Sequence, residues 1–215
     1  MLTEKPRDIV SEILYGPGSP LWGVFPADAV ALRELANSVA RKGVVFIEIG
    51  SWMGHTASIV GEVAEREGGQ VYCVDTWRDR NGLVLRMFCH HMESLGLHEI
   101  VYPMVMESVV AAPLIKDEAA DMVFIDADHK YSSVKQDIDL WWPKVKTGGI
   151  LCGHDCELYY SVCTPVREKR IDHALETPYL LDLQCHPGVI KAVYDCFGRD
   201  YSIKEGTSIW YIRKV

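Results

Sequence analysis

The run Glu48-Ile49-Gly50-Ser51-Trp52-Met53-Gly54-His55-Thr56 follows a short apolar stretch, Val44 to Ile49, and leads into residues with helical spacing. Gly50 permits a tight turn after a strand, and Gly54 lets backbone approach a ligand at a helix start, where unpaired N–H groups gather. Asp75 ends the next apolar stretch, 25 residues beyond Gly50. A carboxylate there can accept hydrogen bonds from both ribose hydroxyls of a nucleoside. The dinucleotide pattern G-x-G-x-x-G is not met, because bulky Trp52 stands at the second glycine position and leaves no room for a pyrophosphate. A ligand with adenosine but no phosphates fits better. Against these readings, two glycines also make a plain strand-to-helix turn, and a strand-end Asp also caps a turn.

A second constellation is Asp126, His154 and Asp155, at the ends of two apolar runs expected to be neighbouring strands. Two carboxylates converging there are costly unless a proton or cation compensates them, which points to a divalent metal. The imidazole favours manganese, iron, nickel or zinc over magnesium. The competing reading has both carboxylates binding loop amides and His154 solvated. His129, three residues after Asp126, has an ordinary pKa of about 6.5 and could take a proton from a hydroxyl at neutral pH. His154 is the second candidate base if it binds no metal. Among the other histidines only His186 has a positional argument, since it borders an irregular stretch and could face a substrate.

Elements that could position these residues alternate along the chain. The patterning predicts a helix over Pro26 to Gly43, then strands at Val44 to Ile49, Val71 to Val74, Ile100 to Val105, Asp121 to Ile125 and Gly149 to Cys152. Helices are expected between them at Thr56 to Arg66, Leu83 to Leu95, Ser108 to Lys116 and Ser132 to Trp142, and a last one at Gly188 to Phe197. Tyr201 to Lys204 and Ser208 to Ile212 read as a terminal hairpin. The fold class is therefore α/β, a doubly wound and mainly parallel sheet of about seven strands with antiparallel strands at the end. In such sheets ligands bind beyond the carboxyl ends of the strands, where each candidate lies. The expected organisation is an N-terminal helical segment over 1–43 and one main domain over 44–215. The irregular stretch at about 156–185 reads as a binding insertion or lid.

Composition narrows the function classes. Apolar residues are 48% and charged residues 24% of 215, as in an ordinary globular protein. Thirty acidic against 22 basic residues give a net charge of −8 with no basic cluster, which argues against a nucleic-acid partner. No apolar run approaches the ~20 residues that span a bilayer, and Met1 to Arg7 lacks the form of a signal peptide, so a cytoplasmic protein with no membrane partner is expected. Seven scattered cysteines suit reduced thiols. Zinc at Cys152, Cys156, Cys163 and Cys185 is the lesser alternative, as no C-x-x-C pair is present. Aromatic residues in Pro17 to Pro26 and Cys156 to Cys185 suggest apolar surface that covers substrate or joins a homodimer partner.

Four runs in order, Phe46 to Gly50, Val74 to Trp77, Phe124 to Tyr131 and Gly148 to Asp155, resemble the class I S-adenosylmethionine-dependent methyltransferases. The nearest branch is the small-molecule O-methyltransferases related to catechol and macrolide-sugar enzymes. The resemblance implies S-adenosyl-L-methionine as cofactor, with Glu48, Gly50, Ser51 and Gly54 around its methionine part. Asp75 would meet the ribose, Thr76 would join it in binding the cofactor, Glu107 and Ser108 would lie near the adenine, Trp77 would flank adenine or substrate, and Asp126 would border the pocket. It also implies a divalent cation, magnesium or manganese, at Asp126, His154 and Asp155, with His129 where catechol-type enzymes place a basic lysine. The implied reaction is methylation of a hydroxyl on a small molecule. A metal-dependent hydroxylase on the same scaffold and a non-catalytic S-adenosylmethionine-binding protein are the alternatives.

Overall fold

The computed structural model describes residues 24–78 and 82–215. The aromatic segment Pro17 to Pro26 and the signal-peptide region therefore lie wholly or almost wholly outside the described residues, as does the first half of the expected 1–43 segment. The described part of that segment is α1, Pro26–Ser38. Then follow β1 (Val45–Ile49), α2 (His55–Arg66), β2 (Gln70–Asp75), α3 (Leu83–Ser94) and β3 (Val101–Val105). After these come α4 (Ser108–Ala111), β4 (Ala120–Ile125), α5 (Tyr131–Trp141), β5 (Val145–Gly153), α6 (Pro165–His173), α7 (Pro187–Phe197), β6 (Ser202–Ile203) and β7 (Trp210–Arg213).

The seven strands form one sheet in the order β3-β2-β1-β4-β5-β7-β6. β1 pairs in parallel with both β2 and β4, so the direction of winding reverses at β1. That reversal opens a crevice at the carboxyl ends of β1 and β4. Both faces are covered, which explains near-continuous apolar strands rather than alternation with polar residues. Phe46, Val71, Cys73, Met122, Phe124 and Ile150 pack with α1, α2 and α3 on one face. Ile47, Ile49, Val74, Val123, Ile125 and Leu151 pack with α5, α7 and the insertion on the other.

Ladder bonds continue past the strand ends. Gly50 N–H donates to Val74 O at 2.8 Å, Asp126 N–H to Ile49 O at 2.8 Å, and His154 N–H to Ile125 O at 3.1 Å. Three candidate residues are thus fixed by sheet register rather than left on free loops. Gly50 has φ +84, and a Cβ there would lie 2.1 Å from Asp126 O. Gly50→Ala should therefore cost more than the ~1 kcal/mol typical of substitutions, about 2–4 kcal/mol, because backbone rather than a movable side chain blocks it. Urea denaturation measures this, and a loss below ~1 kcal/mol would show that β1 and β4 can separate at their ends.

Three elements differ from expectation. α4 stops at Ala111 and tightens into a 3₁₀ turn, Ala112–Leu114, because Pro113 has no N–H to continue the helix. β5 begins at Val145 rather than Gly149, since Thr147-Gly148-Gly149 is an irregularity inside the strand where register against β4 shifts. The 156–185 stretch contains α6 and an antiparallel bridge between Leu180 and Cys185. Cys156, Tyr160, Ile171 and Cys185 are buried against α7, so its base is packed structure. α6 escaped the hydrophobic pattern because VREKRIDH buries only Ile171, although Thr164 caps the helix and Pro165 opens it. Among the described residues no helix is long and apolar enough to cross a membrane.

Candidate active site

A cavity of about 600 Å³ lies at the reversal point. Its walls include Gly50, Ser51, Gly54, Asp75, Thr76, Ser108, Asp126, His129 and His154, which the sequence had singled out, together with Trp52, Met53, Thr56 and Met106.

Asp75 organises one side. Its Oδ2 accepts from Trp52 N–H at 2.9 Å and its Oδ1 from Trp77 N–H at 2.8 Å. Trp52 and Trp77 hold left-handed backbone, φ 42 and φ 44, uncommon for bulky residues. Trp77 Nε1–H also donates to Trp52 O at 2.6 Å. Asp75 thus clips two strained turns together, and each oxygen keeps a lone pair for a ribose hydroxyl. The capping reading and the ribose reading of Asp75 are compatible.

Other placements correct the sequence reading. Trp77 is 6% exposed, packs on Phe88 with ring centroids 5.0 Å apart, and does not line the cavity, so its indole is core. Gly54 has φ +88, and an added Cβ would meet Phe88 and Met92, so glycine is demanded there by α3 packing rather than by a ligand alone. The Ser108 hydroxyl is already engaged, donating to Asp137 at 2.5 Å and accepting from Trp141 Nε1–H at 2.7 Å. Burial pushes the Asp137 carboxyl up to about 6. Glu107 pairs with Arg78 at 2.8 Å and does not line the cavity.

Glu48 is fully covered, lying behind the cavity wall beside Ser51 and Thr56. Burial pushes its carboxyl up to about 7, with the added repulsion of Asp126. Glu48 Oε1 and Ser51 Oγ are buried without a hydrogen-bond partner, an unusual cost that a ligand can relieve. Ser51 lines the cavity and its hydroxyl can donate or accept, and a carboxyl behind it favours a positively charged neighbour, as the methionine end of S-adenosylmethionine is.

The opposite side holds a charged cluster around Asp155. Its Oδ1 lies 2.9 Å from His154 Nδ1 and 3.4 Å from His186 Nδ1, and its Oδ2 lies 3.0 Å from His129 Nε2. Asp155 itself has φ +63, a conformation that turns its carboxylate among the three imidazoles. Asp126 Oδ1 is 3.6 Å from His129 Nε2. The ligand atoms of Asp126, His154 and Asp155 lie within 4.8 Å of one another, a spread that fits a divalent cation. Neither convergent group found among the described residues contains a cysteine, and all seven thiols are free.

The sequence missed two participants. Asp28, 2% exposed, lies 3.4 Å from His154 Nε2 and also accepts from Phe25 and Ser208 N–H groups. Burial opposes its charge, but His154 and these bonds outweigh it and hold the carboxyl below its usual value. Glu157 grips His186, accepting from its backbone N–H at 3.1 Å with Oε1 2.5 Å from Nδ1. Asp28 reads from sequence only as a helix-start residue, and nothing in its spacing reveals a partner far along the chain at His154.

The expectation that His129 is a neutral base is also altered. Burial opposes its charge, but Asp126 and Asp155 outweigh it and raise His129 to about 10, so it carries a proton at neutral pH. His154 is raised to about 11, with Asp155 and Asp28 likewise overcoming burial, which removes it as a free base. Asp155 is lowered: burial opposes its charge, and His129 and His154 outweigh that.

A family model described as a methyltransferase domain matches residues 47–156, half of the chain. Among solved structures, an O-methyltransferase from Bacillus cereus in complex with SAH superposes with a TM-score of 0.63 at 17% identity, covering 89% of this chain and 82% of that one. The O-methyltransferase TomG from Streptomyces achromogenes, in complex with SAM, gives 0.62 at 14% identity, covering 91% and 83%. CalS11, a TDP-rhamnose 3'-O-methyltransferase of calicheamicin biosynthesis, gives 0.57 at 14% identity, covering 86% and 78%. At these identities the structural likeness is one of fold. With half its length matched by the family model and its sheet wound around a crevice at β1 and β4, this chain belongs to the methyltransferase-domain family and has the class I S-adenosylmethionine-dependent methyltransferase fold.

Proposed function

We propose that the chain transfers a methyl group from S-adenosylmethionine to a hydroxyl oxygen of a small molecule, with a divalent cation held by Asp126, His154 and Asp155. The observation that carries the reading is the juxtaposition across one cavity of a nucleoside-type wall and a cation-type wall. Gly50, Ser51 and Asp75 line the first, and Asp126, His129 and His154 line the second. The O-methyltransferase activities in the names of TomG and CalS11 support the same choice of acceptor.

On this reading Asp75 accepts from the ribose hydroxyls, and Ser51 with Glu48 behind it faces the positive methionine end. A cation at the second wall would supply charge that lowers the acceptor hydroxyl's pKa and fixes its direction. A cation engaging Asp126 and Asp155 would remove the charges that hold the proton on His129; the ring would then release that proton to solvent and be free to accept the hydroxyl proton. Methyl transfer is in line, so most of the acceleration comes from holding donor sulfur, methyl carbon and acceptor oxygen in a row. The insertion reaches the Asp155 cluster through Tyr179 and Glu157 on His186, and on this reading it sets which molecule fits.

The test uses radiolabelled S-adenosylmethionine with a panel of phenols, catechols and sugar hydroxyls, in magnesium, in manganese and in excess EDTA. Transfer is expected with the metals and is expected to fall at least about a hundredfold in EDTA, as for loss of several kcal/mol of charge stabilisation. Undiminished transfer in EDTA would remove the cation from the reaction. A homodimer and a cytoplasmic location complete the proposal, and light scattering at micromolar concentration tests the former.

A further inference from the structure

The cluster around Asp155 has a second convergence, which adds His186, a residue that does not line the cavity. His129, Asp155 and His186 also bring one ligand atom each within 4.8 Å of one another. The two oxygens of Asp155 divide between the rings, Oδ2 at 3.0 Å from His129 Nε2 and Oδ1 at 3.4 Å from His186 Nδ1. The rings themselves meet edge to face, with centroids 4.7 Å apart. Metal–nitrogen and metal–oxygen bonds of ~2.0–2.2 Å place neighbouring ligand atoms about 3.3 Å apart in a tetrahedron, close to these separations.

We propose that His129, Asp155 and His186 form a second cation site selective for a first-row transition ion. Glu157 Oε1 lies 2.5 Å from His186 Nδ1, a hydrogen-bond distance too short for two ligands of one ion, so Glu157 orients that ring and the donor set is two imidazoles and one carboxylate. Two imidazoles suit zinc, cobalt, iron or nickel, whereas magnesium demands an octahedron of oxygens and keeps several waters. The set is partly open to solvent, with a side-chain exposure of 30% for His129, so an ion can enter. His186 is held in place by three independent contacts: Glu157 on its backbone and ring, His129 at its edge, and Tyr179 at 4.8 Å across its face. An outer partner that fixes ring orientation is a regular feature of imidazole ligands. The ion would tie the base of the insertion to the ends of β4 and β5, and while bound to His129 Nε2 it would withhold that ring from the proton transfer proposed above.

This inference uses Asp155 in common with the proposed methyl-transfer site, so the test separates them by the unshared residues. Cobalt(II) is titrated into the full chain and followed by its visible absorption, which reports nitrogen-containing coordination of low symmetry. One equivalent is expected to bind in the presence of millimolar magnesium. His186→Ala is expected to weaken cobalt roughly a hundredfold, the upper end of what loss of even an outer-shell partner costs. Asp126→Ala is expected to leave the cobalt spectrum in place. Circular dichroism of His186→Ala, with S-adenosylhomocysteine affinity as a second check, establishes that the variant is folded. Loss of the spectrum in Asp126→Ala with retention in His186→Ala would overturn the proposal, placing the ion at Asp126, His154 and Asp155 instead. Absence of cobalt binding by the wild-type chain would overturn it as well, and neither outcome bears on whether S-adenosylmethionine binds.

Discussion

Replacing Asp155 with alanine is expected to destabilise the fold by about 3–5 kcal/mol, the range for removing one partner from a buried charged pair, and to abolish methyl transfer. Asp155 faces His129, His154 and His186 at 3.0, 2.9 and 3.4 Å, and its removal strands two imidazoles that are protonated at neutral pH. The pH dependence has a defined sign. His129 and His154 are raised from 6.5 to about 10 and about 11, so the stability they contribute is full below pH 6.5 and is lost as pH rises through those folded values. Asp155 is lowered from 3.8, so its contribution is present above that pH and is lost in more acid solution. Guanidinium denaturation of the wild type should therefore show stability falling between pH 7 and 10, with a flatter profile in Asp155→Ala. Equal stability of the two proteins at pH 6 would refute the charged network. Asp155→Asn, which keeps the shape and tolerates φ +63, should recover part of the stability and none of the activity.

Glu48→Gln should move stability and ligand affinity in opposite directions. The Glu48 carboxyl is raised from 4.5 to about 7 by burial, so the fold favours its neutral form and loses stability as pH climbs between those values. Glutamine removes the charge, so the variant should be about 1–3 kcal/mol more stable than wild type above pH 7, since each tenfold weakening of proton release on folding corresponds to ~1.4 kcal/mol, and no different below pH 4.5. The same change withdraws negative charge from behind Ser51, where the methionine end of the cofactor is proposed to lie. Affinity for S-adenosylmethionine should then fall about tenfold, as expected when a nearby opposite charge in a low-dielectric site is lost. Thermal melts at pH 5 and pH 8, with and without ligand, read both effects. A variant as stable as the wild type at pH 8 would mean that Glu48 bears no burial penalty, and unchanged affinity would move the positive end of the ligand elsewhere.

The parts of this molecule legible from sequence were those fixed by sheet register. Val44 to Ile49, Asp75, Asp126 and His154 could be placed because apolar runs of strand length end at them and a doubly wound sheet gathers such ends. The reversal at β1 and the seven-strand count follow from the same alternation. Side-chain direction was not legible. Ser108 and Trp77 sit at the expected places along the backbone, yet Ser108 turns toward Asp137 and Trp77 packs on Phe88. The partners of His129 and His154 were equally hidden. Asp28 and Glu157 come from α1 and the insertion, through contacts between elements far apart in the chain that no local period encodes. For that reason an ordinary histidine pKa was the wrong guide to His129, whose charge state is set by Asp126 and Asp155 together.

The central claim is that the cavity at the ends of β1, β2 and β4 binds S-adenosylmethionine through Asp75. Isothermal titration with S-adenosylhomocysteine, the demethylated cofactor, tests it without knowledge of the acceptor. The wild-type chain is expected to bind one equivalent, with affinity unchanged by EDTA, because Asp75 and Ser51 lie on the wall away from the cation ligands. Asp75→Asn, which retains one oxygen to hold a turn but loses the charge, is expected to bind about 1.5–3 kcal/mol more weakly, the range for hydrogen bonds to a charged group. No binding by the wild-type chain, or equal binding by a folded Asp75→Asn, would contradict the account.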